Sequence, residues 1–310
     1  MTTKPKKQEL FSAVEAPEGL RDSAQEALKP CFLCGGSAVN RLYMQAHFPV
    51  VKCSKCGLVY ADEHFKQEDL EAFYSGDYYQ RAYVCHPAEI DAKIAADYVH
   101  AFDRVDRELR GGSLLDFGSA RATFLGELRA RGYEDRWKIE GIDINPDEVR
   151  MGLDAGLPVT CGALEDADHA DGQFDAVSAF SVLEHLQAPD EILRGLHRII
   201  RPGGELLMIV PSGRCLILSL ALLASRVMGH RARGFTDNVF HEEHLYYFTP
   251  TTIGRALTDV GFEVREIFYT PSYLETHPPG PLVAIGAYGL RLASWVFRRQ
   301  TMLGVVARRP

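Results

Sequence analysis

From residue 113 onward, short continuous apolar runs alternate with stretches whose apolar positions recur every three or four residues. The runs SLLDFG, WKIEGIDI, FDAVSAF and ELLMIVPS read as buried strands. The stretches ATFLGELRARG, PDEVRMGLDAG and PDEILRGLHRIIRPGG read as the helices between them. Strands that are apolar on both faces and alternate with helices predict a doubly wound, mostly parallel α/β sheet covered on both sides. In such sheets ligands bind beyond the carboxyl ends of the strands, where Asp116, Asp143 and Phe180-Ser181 fall. A helix over about residues 86 to 110 precedes the first strand, behind an aromatic-rich connector. Residues 1 to 30 are polar and punctuated by Pro5, Pro17 and Pro30, which predicts a loosely ordered lead-in.

The expected organisation is therefore a lead-in (1–30), a small module (31–60), the connector and helix (61–110) and an α/β domain (111–310). Two apolar insertions, near 214–234 and 279–299, interrupt that domain. With 310 residues and 46% hydrophobic content, the chain can bury one large core plus an appendage. Its 34 basic and 42 acidic residues give a net charge of −8, so it lacks the broad positive field that grips a phosphate backbone. No nucleic-acid partner is expected. The lysines of residues 1 to 8 are followed by no apolar segment, and no uncharged run approaches the roughly 20 residues of a spanning helix, so a cytoplasmic protein is expected.

Cysteine spacing changes the picture of the N-terminal module. Cys31 and Cys34 form one Cys-x-x-Cys knuckle, Cys53 and Cys56 another, with a short β-rich stretch between them. Two such turns can point four thiolates at one ion, the closed tetrahedral arrangement of a structural zinc ribbon. Zinc there would fold a module too small for its own core and would leave no position open for catalysis. Cys85, Cys161 and Cys215 are isolated and read as small buried hydrophobes.

The loop in LLDFGSARATFL supplies candidate chemistry. Gly118 permits a tight strand-to-helix turn, and the following helix offers its N-terminal N–H groups to a ligand. Asp143, ending the next strand in GIDINPDEV, either accepts hydrogen bonds from a ribose diol or caps the next helix.

In order and spacing, LLDFGSARATFL, GIDINPDEV, FDAVSAFSVLEHL and ILRGLHRIIRPGGELLMIVPS resemble the successive motifs of class I S-adenosylmethionine-dependent methyltransferases over about residues 112 to 212. FYTPSYL and TMLGVVARRP look like the last two strands of that fold, an antiparallel hairpin. The resemblance implies a Rossmann-like, doubly wound seven-stranded sheet and S-adenosylmethionine as cofactor. It places Asp116 and Gly118 at the methionine moiety, Asp143 at the ribose hydroxyls and Glu165 or its neighbours in GALED beside adenine, and counts Ala120, Ile144, Phe180 and Ser181 among the cofactor-binding residues. Ala120 and Ala122 stand where the family usually has glycine. A loop with negative φ accommodates both methyl groups, and this is the expectation; positive φ would cost about 1 kcal/mol or more per residue.

The N-terminal block resembles the zinc-bearing lead domain of bacterial small-molecule methyltransferases, and HEEHLYYFTPTTI resembles a segment of deoxysugar C-methyltransferases. That second likeness implies an acid-assisted base, Glu243 with His244, acting on a small-molecule acceptor such as a sugar or another biosynthetic intermediate. His185 in VLEHL is the second candidate at the acceptor. Each histidine could equally cap or pack, and Tyr78 and Tyr79 either line the acceptor pocket or pack under the module. The apolar stretches CLILSLALLASRVMG and PLVAIGAYGLRLASWVF, both followed by arginines, read first as a lid over the pocket. The other reading is a pair resting peripherally on an anionic membrane, admitting a lipid-linked acceptor. Two rival functions stay open, an RNA methyltransferase with the ribbon as a clamp and a non-catalytic cofactor-binding scaffold. Nothing in the sequence fixes the oligomeric state.

Overall fold

The apolar runs become the centre of one sheet in the computed structural model, which describes residues 29–45, 48–62, 88–232, 236, 239–240, 244–270 and 281–310. In chain order the elements are β1 (Val39–Gln45), β2 (Phe48–Cys53), β3 (Val59–Ala61), α1 (Ala88–Leu109), β4 (Gly112–Phe117), α2 (Thr123–Ala130), β5 (Trp137–Asp143), α3 (Pro146–Asp154), β6 (Val159–Cys161), β7 (Phe174–Phe180), α4 (Pro189–Ile199), β8 (Ile200–Pro211), α5 (Leu216–Met228), β9 (Tyr246–Tyr247), α6 (Pro250–Asp259), β10 (Glu263–Thr270), α7 (Pro281–Val296) and β11 (Met302–Arg308). The seven-stranded sheet has the order β10-β11-β8-β7-β4-β5-β6. Strands β4 to β8 run parallel, while β11 is antiparallel to both β8 and β10. The winding direction reverses between β4 and β7, which opens a crevice above their carboxyl ends.

Consecutive residues of one strand enter different cores, which is why the strands read as continuous apolar runs. Leu114, Ala176, Leu207 and Ile209 pack with Phe102 of α1, Leu125 and Leu128 of α2, and Trp137. Leu115, Val177, Leu206 and Met208 pack on the other side with Leu193 and Leu196 of α4 and Ile253 and Leu257 of α6. Each fully buried Leu, Ile, Val, Phe or Met side chain among them contributes about 1.5–3 kcal/mol.

Three boundaries differ from the sequence reading. Strand β6 was not expected, since it is three residues long with Thr160 and Cys161 exposed and carries no apolar periodicity. Helix α4 stops at Ile199, and the Arg-Pro-Gly-Gly expected at its end lies within β8. Strand β10 begins at Glu263, before FYTPSYL, whose residues from 271 onward are outside the described residues.

A second sheet has the order β1-β2-β3-β9 and is antiparallel throughout. Its fourth strand comes from the segment between β8 and β10, with Val59 opposite Tyr247 and Tyr60 opposite Tyr246. Cys31, Leu33, Val51, Cys53, Leu58 and Tyr60 share one core cluster with Phe248 and Ile253. The cysteine module is therefore built into the α/β domain. Helix α5 covers this sheet, burying Leu218 and Ala221 against Tyr43, Val50, Val59 and Tyr247.

Candidate functional site

Strand β4 and the start of α2 deliver one wall of a cavity of about 250 Å³. Asp116, Gly118, Ser119 and Ala120 line it, opposite Asp91, Ile94, Ala95 and Tyr98 of α1, with Phe124 and Phe180 beside them. Gly118 has φ +73°, and a Cβ there would lie 2.4 Å from Val182 Cγ2, so both conformation and space demand glycine. Phe180 stacks on Tyr98 with ring centroids 4.2 Å apart and meets Phe124 edge-on at 5.0 Å. The result is a rigid aromatic wall at the end of β7.

The polar groups are held under tension. Asp116 is buried and accepts a hydrogen bond from Ser178 Oγ at 2.7 Å. Burial, with the charge of Asp143 adding to it, pushes its carboxyl up to about 7. Asp143 is also raised by burial; its Oδ2 accepts from Ala120 N at 2.8 Å and its Oδ1 from Asn145 N at 2.8 Å. Asn145, not Asp143, caps α3, its side chain accepting from the backbone N–H groups of Asp147 and Glu148. Arg121 is neutralised on two sides, by Asp91 at 3.0 Å and Glu148 at 3.1 Å. Ser119 Oγ is buried without a hydrogen-bond partner among the described residues. Asp116 and the backbone of Gly118 to Ala120, set among aromatic and aliphatic lining residues, fit a ligand with a polar end and an apolar body.

Ala120 and Ala122 correct an expectation. Both have positive φ, +46° and +59°. The turn from Ser119 to Ala122 is closed by Ala122 N donating to Ser119 O at 2.8 Å, and Asp143 grips the Ala120 N–H across 23 residues. These contacts over-determine the left-handed conformation, and the loop carries the strain of two methyl groups. Ser181, following β7, adds a third positive φ of +54°.

Beyond Ser181 a single turn, Leu183–His185, presents a different chemistry. Ligand atoms of Glu184, His185 and His244 lie within 4.8 Å of one another. The two imidazoles meet edge-to-face with centroids 5.0 Å apart. Leu245 N donates to Glu184 O at 2.7 Å, tying the residue after His244 to this turn. Glu184 is fully buried with neither carboxylate oxygen at hydrogen-bond geometry among the described residues, and burial pushes its carboxyl up to about 8. The cluster can share a proton or grip a cation.

The four module cysteines also converge. Cys31 Sγ and Cys56 Sγ are 3.5 Å apart, as are Cys34 Sγ and Cys53 Sγ, and all four lie within 4.8 Å. Metal–sulfur bonds of about 2.3 Å in a tetrahedron would set sulfurs about 3.8 Å apart, so the set fits a four-thiolate site. Burial opposes ionisation of Cys53, yet the backbone N–H groups of Cys56 and Lys55 bring its thiol down to about 7.

Of the residues singled out from sequence, Asp116, Gly118, Ala120 and Phe180 line the cavity together, and Asp143 touches it through Ala120. Ser181 is a residue beyond its wall, while Ile144 and Glu165 are exposed outside it. His185 and His244 come together although 59 positions apart; Glu243, Tyr78, Tyr79 and Cys85 lie outside the described residues. Sequence reasoning missed the α1 wall and Glu184. Glu184 stood in the same VLEHL as His185, and only its burial marks it; the α1 residues carry no motif.

Residues 88–267 match the family described as "Methyltransferase domain". The chain is 25% identical over 175 residues to the ubiquinone biosynthesis O-methyltransferase of Chromobacterium violaceum, covering 53% of this chain and 71% of that protein. It is 31% identical over 122 residues to the protein of the same name from Xanthomonas oryzae pv. oryzae, covering 37% and 48%. Among solved structures, a geranyl diphosphate methyltransferase in complex with GPP and sinefungin aligns at 14% identity with a TM-score of 0.49, over 70% of this chain and 79% of that one.

Proposed function

The chain belongs to the methyltransferase-domain family, and from that premise we propose that it transfers a methyl group from S-adenosylmethionine to a hydroxyl of a small biosynthetic intermediate, with His244 and His185 at the acceptor. When bound, S-adenosylmethionine supplies an electrophilic sulfonium methyl group. The residues that would hold it are Asp116, Gly118, Ser119 and Ala120 in the cavity, Phe180 on its wall and Asp143 at the ribose hydroxyls. Ile144 and Glu165, exposed outside the cavity, would meet only the part of the cofactor that extends beyond it, and Ser181 would face the acceptor side. Alignment of the acceptor oxygen carries most of the rate. A ring nitrogen of His244 takes the hydroxyl proton, and the neighbouring Glu184 carboxyl orients the imidazole, the part sequence reasoning had given to Glu243.

The observation that carries this reading is the convergence of Glu184, His185 and His244 immediately beyond the Phe180 wall. Oxygen as the receiving atom is supported by relatives named as O-methyltransferases. The orphaned oxygens of Glu184 favour a second reading, in which the same three side chains hold a divalent cation that orients the acceptor oxygens. Cys31, Cys34, Cys53 and Cys56 hold one structural zinc that fastens the small sheet.

The test is transfer of labelled methyl from S-adenosylmethionine to a soluble catechol, a prenylated catechol and a nucleotide sugar, with and without added magnesium. Label on a hydroxyl supports the proposal, and a rate that rises with magnesium supports the cation reading. A chain that binds S-adenosylmethionine by calorimetry yet labels none of these acceptors would return the account to the scaffold.

A further inference from the structure

Helices α5 and α7 lie against each other, and Leu216 N at the start of α5 donates to Arg299 O beyond the end of α7 at 3.0 Å. Helix α5 turns Leu218 and Ala221 inward onto the small sheet. What the pair leaves outward is apolar at helical spacing. On α5, Leu220, Leu223, Val227 and Met228 are exposed, at i, i+3, i+7 and i+8; on α7, Tyr288, Leu292, Trp295 and Val296 are exposed, at i, i+4, i+7 and i+8, and Phe297 continues the stripe. Val227 is 77% and Trp295 67% exposed. Single exposed apolar residues are ordinary, but two adjoining stripes of this size mark a surface that is covered in use.

Charge identifies the cover. Residues 213–232 and 281–310 contain no aspartate or glutamate, in a chain whose net charge is −8. Arg214, Arg226, Arg231, Arg291 and Arg298 are exposed within the same two segments. A second copy of the chain seated on this face would bring those arginines toward arginines. An anionic lipid surface instead meets both features at once, since the apolar stripes enter the headgroup layer while long guanidinium side chains reach lipid phosphates. None of the described helices is long and apolar enough to cross a membrane, so the contact is one of lying on the surface.

We propose that the outer face of α5 and α7 docks on an anionic bilayer. This goes beyond the methyl-transfer reading and does not depend on it. The docked face lies one packed layer from the acceptor histidines, because Tyr247, which α5 covers, has its ring 6.1 Å from that of His244. A hydroxyl carried on a lipid tail would reach the site from there.

The chain carries its own reporter. It has two tryptophans, and Trp137 is buried with its Nε1 donating to Asp106, so a change in emission on vesicles reports Trp295. The test is co-sedimentation of the full chain with phosphatidylcholine vesicles with and without phosphatidylglycerol, at low and raised salt, with emission recorded in parallel. Expected are binding to phosphatidylglycerol vesicles alone, a blue shift, and release by salt. Leu292→Asp combined with Trp295→Asp should lower the bound fraction about tenfold or more, with S-adenosylmethionine affinity unchanged. No binding to phosphatidylglycerol vesicles at low salt, or equal binding by the double variant, would overturn the proposal. So would a concentration-dependent dimer that Trp295→Asp dissociates, since a second copy would then be the cover. The vesicle assay contains neither cofactor nor acceptor, so its failure is separate from any failure of methyl transfer.

Discussion

Ala120 and Ala122 hold methyl groups in a backbone conformation that glycine adopts without cost, and they differ in what else the methyl does. Ala120 is half-buried at the cavity, whereas Ala122 is fully buried in the core beneath α2. Ala120→Gly should therefore stabilise the fold by about 1 kcal/mol through relief of strain. Ala122→Gly should be nearly neutral, because the same relief is offset by loss of a buried methyl worth about 0.8 kcal/mol. Urea unfolding midpoints of the two variants test this, and a destabilising Ala120→Gly would show that the loop is not strained. The sequence made the missing glycines visible. It could not give the sign of φ, which Asp143 sets from 23 residues away.

Asp116 gives a pH dependence whose sign follows from burial. Its carboxyl stands at about 7 in the fold against 3.8 ordinarily, so between those values the folded chain holds a proton that the unfolded chain has lost. Its contribution is fully present below about pH 4 and is lost as pH rises through about 7. The unfolding midpoint of the cofactor-free chain should carry a component that falls over this window. Asp116→Asn, which keeps a partner for Ser178, should flatten that component; a parent profile matching the variant's would remove the raised carboxyl from the account.

At the scale of elements, the cysteine module and the histidine pair are one construction. Strand β3 of the module pairs with β9, and β9 begins two residues after His244. If the four cysteines hold the zinc proposed above, Cys31→Ser with Cys34→Ser should release it and cut turnover about tenfold or more by loosening His244, while S-adenosylmethionine affinity stays within about twofold. Elemental analysis beside calorimetry and turnover checks all three. Full turnover from a metal-free variant would uncouple the module from catalysis. The long strands were legible because burial on both faces writes itself as an apolar run. Strand β9 was not, because two residues have no period and their partner lies nearly 190 positions earlier. Helix α1 was legible as a helix but not as the cavity wall, since its role is fixed by packing against β7 and α2.

Over the whole molecule, the reversal of winding between β4 and β7 places the cavity lined by Asp116, Gly118 and Phe180, and the chain's return toward β9 brings His244 to His185 on the turn that follows Phe180. Fold class and the tight strand-to-helix turn at Gly118 were readable from order and spacing; the meeting of His185 and His244 depends on tertiary structure alone. The central claim is that this pair handles the acceptor proton, and the direct measurement is single-turnover methyl transfer against pH for the parent, His244→Ala and His185→Ala, using the acceptor that accepts label. The account predicts that His244→Ala slows transfer by about 10² to 10⁴-fold with S-adenosylmethionine affinity nearly intact, the range for loss of a general base. A His244→Ala rate within about threefold of the parent at every pH would contradict it, leaving transfer to alignment alone.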